Sequence, residues 1–467
     1  RRVHGDFTEK DSLINIREKH AKPHLSLSLR IQFIGGMRPI RLPEPPSPTR
    51  SNVSDVFESS VDGVVRRAIV IGNGFPGSEN QSLGLIKALG LADRHILYRT
   101  TRPRGGVNEW LHWLPLSVHK KFYYVMCKLY RYSGVIAASK YSKLNSNRNS
   151  PINGISDGLA VVLEADVKQI VKMARDNYEK DGPLLVISCG RDTISTASSI
   201  KRMALSNAVV VQIQHPRTHL ERFDMVITPR HDYYALSSDG QKQVPRLLRN
   251  WITPREPPDE HVVLTVGALH QIDFSLLRTA AISWHDELAP LPKPLLVVNV
   301  GCPTSLCRYG SDLAKQLVAQ LQNVIPSCGS VRIFFSSRTP AKISKVIMEE
   351  LTGHSKVLIW DSKDLGERSL YMGTLAWADA FVITADSVSM ISEACSTGKP
   401  VYVIGSERCT WKLSEFQRSL KGRGQIRPFR GSEDMGESWS YPPLNDTVEA
   451  ARKVHEALAK RGLRIQT

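Results

Sequence analysis

The sequence predicts an α/β protein built from two Rossmann-like β/α domains that face each other across a cleft, closed by a C-terminal helix. Three observations point there. Short apolar runs such as AIVIGNG, PLLVISCGRD and PLLVVNVGCPTS each end in a glycine turn. They alternate with segments of helical periodicity, the pattern that builds parallel sheets. Pro290, Pro292 and Pro294 then divide the chain into halves of similar plan. At 467 residues two domains are expected. A composition of 41% hydrophobic and 23% charged residues is that of a soluble globular protein. No apolar run approaches the roughly 18 residues that span a bilayer. The seven cysteines are scattered, with no CxxC and no His/Cys cluster, which suggests reduced thiols in a cytosolic compartment and no metal.

Residue 1 is Arg and the first methionine is Met37. Residues 1–36 carry acids and no sustained apolar core, unlike a signal or transit peptide. They are read as an upstream or non-native extension, and 37–63, rich in Pro and Ser, as a disordered N-terminus. The first domain is expected over 64–289. VVRRAIVIGNG is a strand ending in Gly72-Asn73-Gly74, followed by a helix capped by Ser78 or Asn80. The turn GNGFPG, with Gly77 at its end, departs from the GxGxxG fingerprint of dinucleotide folds. It is either a backbone cradle for a phosphate or simply a tight turn.

An aromatic-basic insertion follows at 105–150. Between Arg99 and Arg148 there are ten Lys/Arg and one acid, Glu109, a local excess of 9 within a net +17. Trp110 and Trp113 recur at helical spacing among Lys120, Lys121, Lys128 and Arg131. Such a stretch can lie on an anionic lipid surface, or pack on the first domain with its basic face solvated. The basic balance brings no recognisable nucleic-acid module, so no nucleic-acid partner is expected.

Further strands end in polar or basic residues: Arg191, His215 with Arg217, Arg230 with His231, and His270. Ligands of open α/β sheets bind at the carboxyl ends of strands. These side chains could face an anion there, or pair with Asp192, Asp224 or Asp232. SLLRTAAISWHDELAPLPKP reads as a connector. The second domain, 290–467, repeats the strand–helix rhythm and ends in a helix over Thr447–Arg461. Within it GTLAWADAFVITADSVSMISEACSTGKPVYVIGS is a strand–helix–strand unit. Asp386 and Ser387 are N-cap types, and Ser389 lies in the first turn. That helix start suits a phosphate. Glu393, further along, could accept ribose hydroxyls or be an ordinary helix carboxylate. For transfer chemistry Glu79 and His215 are the candidate bases.

Glu393, Gly398 and Pro400 form Glu-x4-Gly-x-Pro, which resembles the donor-nucleotide site of two-domain glycosyltransferases of the B fold. From Met37 to Ile465 the chain resembles the plant mitochondrial fission family of the elongated-mitochondria type. The motifs MRPIRLPEPPS, SCGRDTIS, QIQHPR, FDMVITPRHD, VGALHQI, ADSVSMISEACSTGKPV and SWSYPPLNDT carry the resemblance. Bacterial proteins of unknown activity share most of them. The resemblance implies a peripheral protein on the cytosolic face of the mitochondrial outer membrane that brings a dynamin-related GTPase to fission sites. The chain has no GxxxxGK[ST] P-loop of its own. Two readings stay open. One is an adaptor with surfaces for the membrane and the GTPase. The other is a glycosyltransferase or nucleotide-sugar binder, with a UDP- or other nucleotide-sugar between Ser387, Ser389 and Glu393 on one wall and Gly72–Gly77 and Arg191 on the other.

Overall fold

The computed structural model describes residues 63–100, 162–164, 166–217, 219–243, 254, 256–360, 368–437 and 439–466. All lie in the unit Pro39–Thr467. The membrane or partner candidates Trp110, Trp113, Lys120, Lys121, Lys128 and Arg131 lie outside the described residues.

The first half begins with β1 (Gly63–Val65), β2 (Ala68–Gly72), α1 (Pro76–Ala88), β3 (His95–Arg99) and β4 (Val162–Glu164). It continues through α2 (Val167–Asp176), β5 (Leu184–Cys189), α3 (Ile194–Ala204), β6 (Ala208–Ile213), β7 (Met225–Pro229) and β8 (Val262–Thr265). β2 to β8 form a seven-stranded parallel sheet ordered β4-β3-β2-β5-β6-β7-β8. β2, β5, β6 and β7 are buried along their whole length, as expected of strands covered on both faces. One face packs Val70, Leu85, Ile187 and Val211, the other Ile71, Val186, Ile200 and Val210. α1 starts earlier than its polar residues suggest. Pro76 is its first residue and Phe75 its cap position. Proline presets a helical φ and its missing N–H is unneeded there, so Ser78 and Asn80 lie inside the helix.

The supposed connector is largely helical. Asp273 accepts the Leu276 N–H at 2.7 Å and caps α4 (Phe274–Ser283), and a short turn of helix follows at His285–Leu288. The second half contains β9 (Leu295–Val300), α5 (Ser311–Val324), β10 (Ser330–Phe335), α6 (Ala341–Leu351), β11 (Val357–Trp360), α7 (Arg368–Trp377) and β12 (Ala380–Thr384). After these come α8 (Val388–Cys395), β13 (Val401–Ile404), α9 (Trp411–Gly422) and β14 (Arg427–Pro428). Its parallel sheet is ordered β11-β10-β9-β12-β13-β14. Leu295, Val297 and Phe381 pack on one face, Leu296, Val298 and Val382 on the other.

The end of the chain departs from the division at 290. α10 (Asp446–Ala459) places Ala450, Ala451, Val454 and Leu458 in the core of the first sheet. β15 (Leu463–Ile465) then pairs in parallel with β1. Charge fixes this return. The Asp224 carboxylate, almost wholly buried, accepts bonds from Arg461, which follows α10, from Lys201 of α3, and from the Val210 N–H at 2.8 Å. Asp224→Ala leaves that amide and Lys201 without this acceptor and Arg461 with only the Asp224 carbonyl, at 3.4 Å. It is expected to lower stability by about 2 kcal/mol, read from urea denaturation.

Candidate functional site

Each sheet reverses its strand order once, between β2 and β5 in the first and between β9 and β12 in the second. Ligands of open α/β sheets enter at the carboxyl side of such switch points. The first therefore brings together the Gly72–Gly77 turn and Gly190-Arg191. The second joins the loop after β9 to Asp386 and Ser387.

Glu79 occupies the first turn from within. Its carboxylate accepts the Gly74 N–H at 2.9 Å, and Arg99 Nε and Nη2 at 2.9 and 2.8 Å. Asn73 Oδ1 accepts the Phe75 N–H at 3.1 Å. Glu79 is thus a buried anchor for a tight turn and not the free base considered from the sequence. Gly77 is exposed. Arg191 opens a 3-10 turn (Arg191–Thr193) leading into α3.

The second switch point also holds a carboxylate. Asp386 accepts the Cys302 N–H at 2.8 Å and the Tyr309 hydroxyl at 2.7 Å. Burial raises its pKa, against these bonds. Gly301 makes room for it, since a Cβ there would stand 2.7 Å from Asp386 Oδ1. Ser387 caps α8 by accepting the Met390 N–H at 3.4 Å, and Ser389 is half-buried in the first turn. The expectation of a phosphate at this helix start thus meets a protein carboxylate beside it.

Glu393 lies at a seam between the halves. Asn80 Nδ2 of α1 donates to one oxygen at 3.0 Å, and the Tyr371 hydroxyl of α7 to the other at 2.8 Å. Gln271 in turn donates to Asn80 Oδ1 at 2.7 Å. The crossing segment after β8 is held from both sides. Asp446 accepts the Val266 and Gly267 N–H groups at 3.0 and 2.7 Å, and Ser392 Oγ that of Ala268 at 3.0 Å. Thr447 Oγ1 accepts the His270 N–H and donates to its carbonyl, each at 3.0 Å, while Ser396 Oγ lies 2.7 Å from His270 Nε2. Lys412 of α9 pairs with Asp232 from the first half. Burial pushes the Asp232 carboxyl up, but Lys412, His231 and the Thr228 hydroxyl prevail and hold it well below the usual range.

Asp224 and Asp232 thus pair with Lys201, Arg461 and Lys412, and Arg217 and Arg230 do not take them. Burial lowers His215 to about 4, so it is neutral at pH 7. The sequence did not single out Tyr371, Ser392, Ser396, Lys412, Asp446 or Thr447. The available signal was that the motifs VGALHQI and PPLNDT supply the two segments that meet at the seam. A cavity of about 240 Å³ lined by Arg67, His95, Met173 and Asp181 lies at the opposite ends of β2, β3 and β5, away from the switch point. Among the described residues no helix is long and apolar enough to cross a membrane, and no group of His, Cys, Asp or Glu is placed to hold a metal ion.

Solved UDP-N-acetylglucosamine 2-epimerases align over most of the chain. The Methanocaldococcus jannaschii enzyme covers 84% of this chain and 98% of its own, at TM-score 0.46 and 10% identity. The Neisseria meningitidis enzyme covers 84% and 100%, at TM-score 0.44 and 13% identity. An uncharacterized protein of Rickettsia prowazekii is 30% identical over 62% of this chain and 83% of its own length. The mitochondrial fission protein ELM1 of Arabidopsis thaliana is 64% identical over 91% of this chain and 99% of its own. The family model for mitochondrial fission ELM1 matches residues 76–458, from the first residue of α1 almost to the end of α10. The chain belongs to the mitochondrial fission ELM1 family, and with that membership comes a role in mitochondrial fission.

Proposed function

We propose that the protein is a fission adaptor: a peripheral protein on the cytosolic face of the mitochondrial outer membrane that localises a dynamin-related GTPase there. The observation that carries this reading is the seam. Glu393 is bound from both halves by Asn80 and Tyr371, and the other carboxylates at the switch points, Glu79 and Asp386, are bound by protein donors as well. Such an arrangement favours a scaffold with fixed outer surfaces over a cleft that turns over a substrate. A nucleotide-sugar held by Glu393 would have to displace both donors, so the scaffold reading takes precedence. With no P-loop in the sequence, the work of constriction falls to the GTPase.

Membrane contact is assigned to the aromatic-basic stretch with Trp110, Trp113, Lys120, Lys121, Lys128 and Arg131. Each lysine or arginine near an anionic surface contributes about 1 kcal/mol. Reversing Lys120, Lys121, Lys128 and Arg131 to glutamate is expected to move the protein from the mitochondrial to the soluble fraction. Unchanged sedimentation with mitochondria would remove this stretch from the account.

A further inference from the structure

The two cysteines nearest in sequence, Cys302 and Cys307, are not the two that the fold brings together. Cys307, in the loop after β9, and Cys409, just before α9, stand with their sulfurs 3.3 Å apart although 102 positions separate them in the chain. Among the described residues no other two cysteines share a hydrogen bond. Both are free thiols and buried, Cys307 wholly and Cys409 to within 7% exposure. They face each other in an isolated antiparallel bridge. The carbonyl of Leu306, next to Cys307, accepts the N–H of Thr410, next to Cys409, at 2.7 Å. This pattern puts the cysteines at a non-hydrogen-bonded position of the ladder, where facing Cα atoms stand about 4.5 Å apart. That spacing lies within the range of about 4.4–6.8 Å that a disulfide spans.

The surroundings tolerate the loss of both thiol protons. Each sulfur lies 3.9 Å from the Gly405 carbonyl, and that of Cys409 lies 3.7 Å from the Ala385 carbonyl. The Gly405 carbonyl also accepts the Arg408 N–H at 3.1 Å, and that of Ala385 the Gln417 side-chain amide at 2.8 Å. A sulfur–sulfur bond therefore leaves neither carbonyl without a donor. The sulfurs need to approach by roughly 1 Å to form it. The two segments they would join both carry seam and switch-point contacts. The Cys302 N–H and Tyr309 hydroxyl, in the loop after β9, bind Asp386. Lys412, in the first turn of α9, pairs with Asp232 of the first half.

We propose that Cys307 and Cys409 form an oxidation site, which hydrogen peroxide converts to a disulfide joining the loop after β9 to the start of α9. Disulfides within a reducing compartment are mostly transient and redox-sensing. One sulfur, as its thiolate, attacks a peroxide oxygen. The O–O bond breaks, a sulfenic acid forms, and the released hydroxide takes up the proton that the thiol gave up. The second sulfur then attacks the first and the S–S bond forms. The sulfenic hydroxyl leaves with the second thiol's proton as water. Two electrons pass from the sulfurs to the peroxide, so two thiols and one peroxide give one disulfide and two waters. Cys409 carries what exposure the pair has and reacts first. Its hydrogen bond with Cys307, then burial, then the charges of Cys307, Asp386 and Glu407 raise its pKa, so oxidation is slow and answers sustained peroxide. The disulfide stiffens the mounting of Asp386 and Lys412. Failure of this site would leave the adaptor reading standing.

The full reduced chain is incubated with hydrogen peroxide, the remaining thiols are blocked with N-ethylmaleimide in denaturant, and mass spectrometry of the digest identifies peptides joined through cysteine. A link between Cys307 and Cys409 is expected, returned to two thiols by dithiothreitol. It is expected to persist in Cys302→Ser and to be absent from Cys307→Ser and Cys409→Ser. The oxidised chain is expected to melt a few degrees above the reduced one, because the link closes a long loop. That gain is expected to vanish in Cys409→Ser. If Cys409→Ser lowers the thermal midpoint of the reduced chain, Cys307→Ala takes its place. Alkylation of Cys307 and Cys409 as separate thiols after peroxide overturns the proposal. So does a link from Cys302 to either of them in place of the expected one, or a melting gain that persists in Cys409→Ser.

Discussion

Replacing Gly84 by alanine is expected to destabilise the protein by about 2–3 kcal/mol. In an ordinary helix the same change gains about 1 kcal/mol, because glycine is a poor helix former. The sign reverses because Gly84 is where α1 touches the seam. A Cβ there would stand 2.5 Å from the His270 carbonyl carbon and 3.1 Å from the Gln271 nitrogen. These are backbone atoms and cannot swing aside. His270 is also clamped, its N–H and carbonyl both bonded to Thr447 and its ring to Ser396. Separating α1 from the crossing segment would strain the chain Gln271–Asn80–Glu393 as well. Urea denaturation measures the loss, and faster hydrogen exchange at the amides of Ala268 and His270 locates it. Stabilisation of Gly84→Ala by the ordinary increment would show that the seam is loosely packed.

Acidification is expected to have a comparably large effect. Burial, outweighing every other influence, holds His215, His231 and His270 near 4, against about 6.5 in an unfolded chain. Between those values the unfolded chain binds more protons, so stability rises with pH through the window and is lost as pH falls. Asp446 acts the other way. Burial raises it to about 6, so its contribution is greatest at low pH and fades as pH rises through 6. Three histidines outweigh one carboxyl. At pH 5 each histidine accounts for about 2 kcal/mol and Asp446 returns about 1–2 kcal/mol, a net loss on the order of 4 kcal/mol relative to pH 7.5. Urea midpoints at the two pH values test this. A midpoint that is flat or rises on acidification contradicts the burial of these histidines.

The strands and the glycine turns that end them were legible because their signal is local, whereas the strand order that makes two of those turns switch points was not. AIVIGNG and PLLVISCGRD carry an apolar run and its terminating glycine within ten residues. The helix start at Ser387 was legible for the same reason. What escaped depends on partners distant in the chain. Glu393 and Asn80 are 313 residues apart, and nothing beside Glu393 in sequence announces that an amide and a phenol will take both its oxygens. Glu79 reads as a possible base until Arg99 is folded over it. α10 has the periodicity of any amphipathic helix, and its pattern cannot tell which sheet its apolar face will cover. The connector was misread because its three prolines fall after α4 and not within it. Phe75 gave no cap signal because the signal there is the proline that follows.

The adaptor reading is tested most directly on mitochondria isolated from cells that lack the protein. Purified chain is added back together with the dynamin-related GTPase, and the GTPase that sediments with the organelles is quantified. Bound GTPase is expected to rise with added chain, to saturate, and to fall when Lys120, Lys121, Lys128 and Arg131 are reversed to glutamate. Equal GTPase on the mitochondria with and without the chain would contradict it.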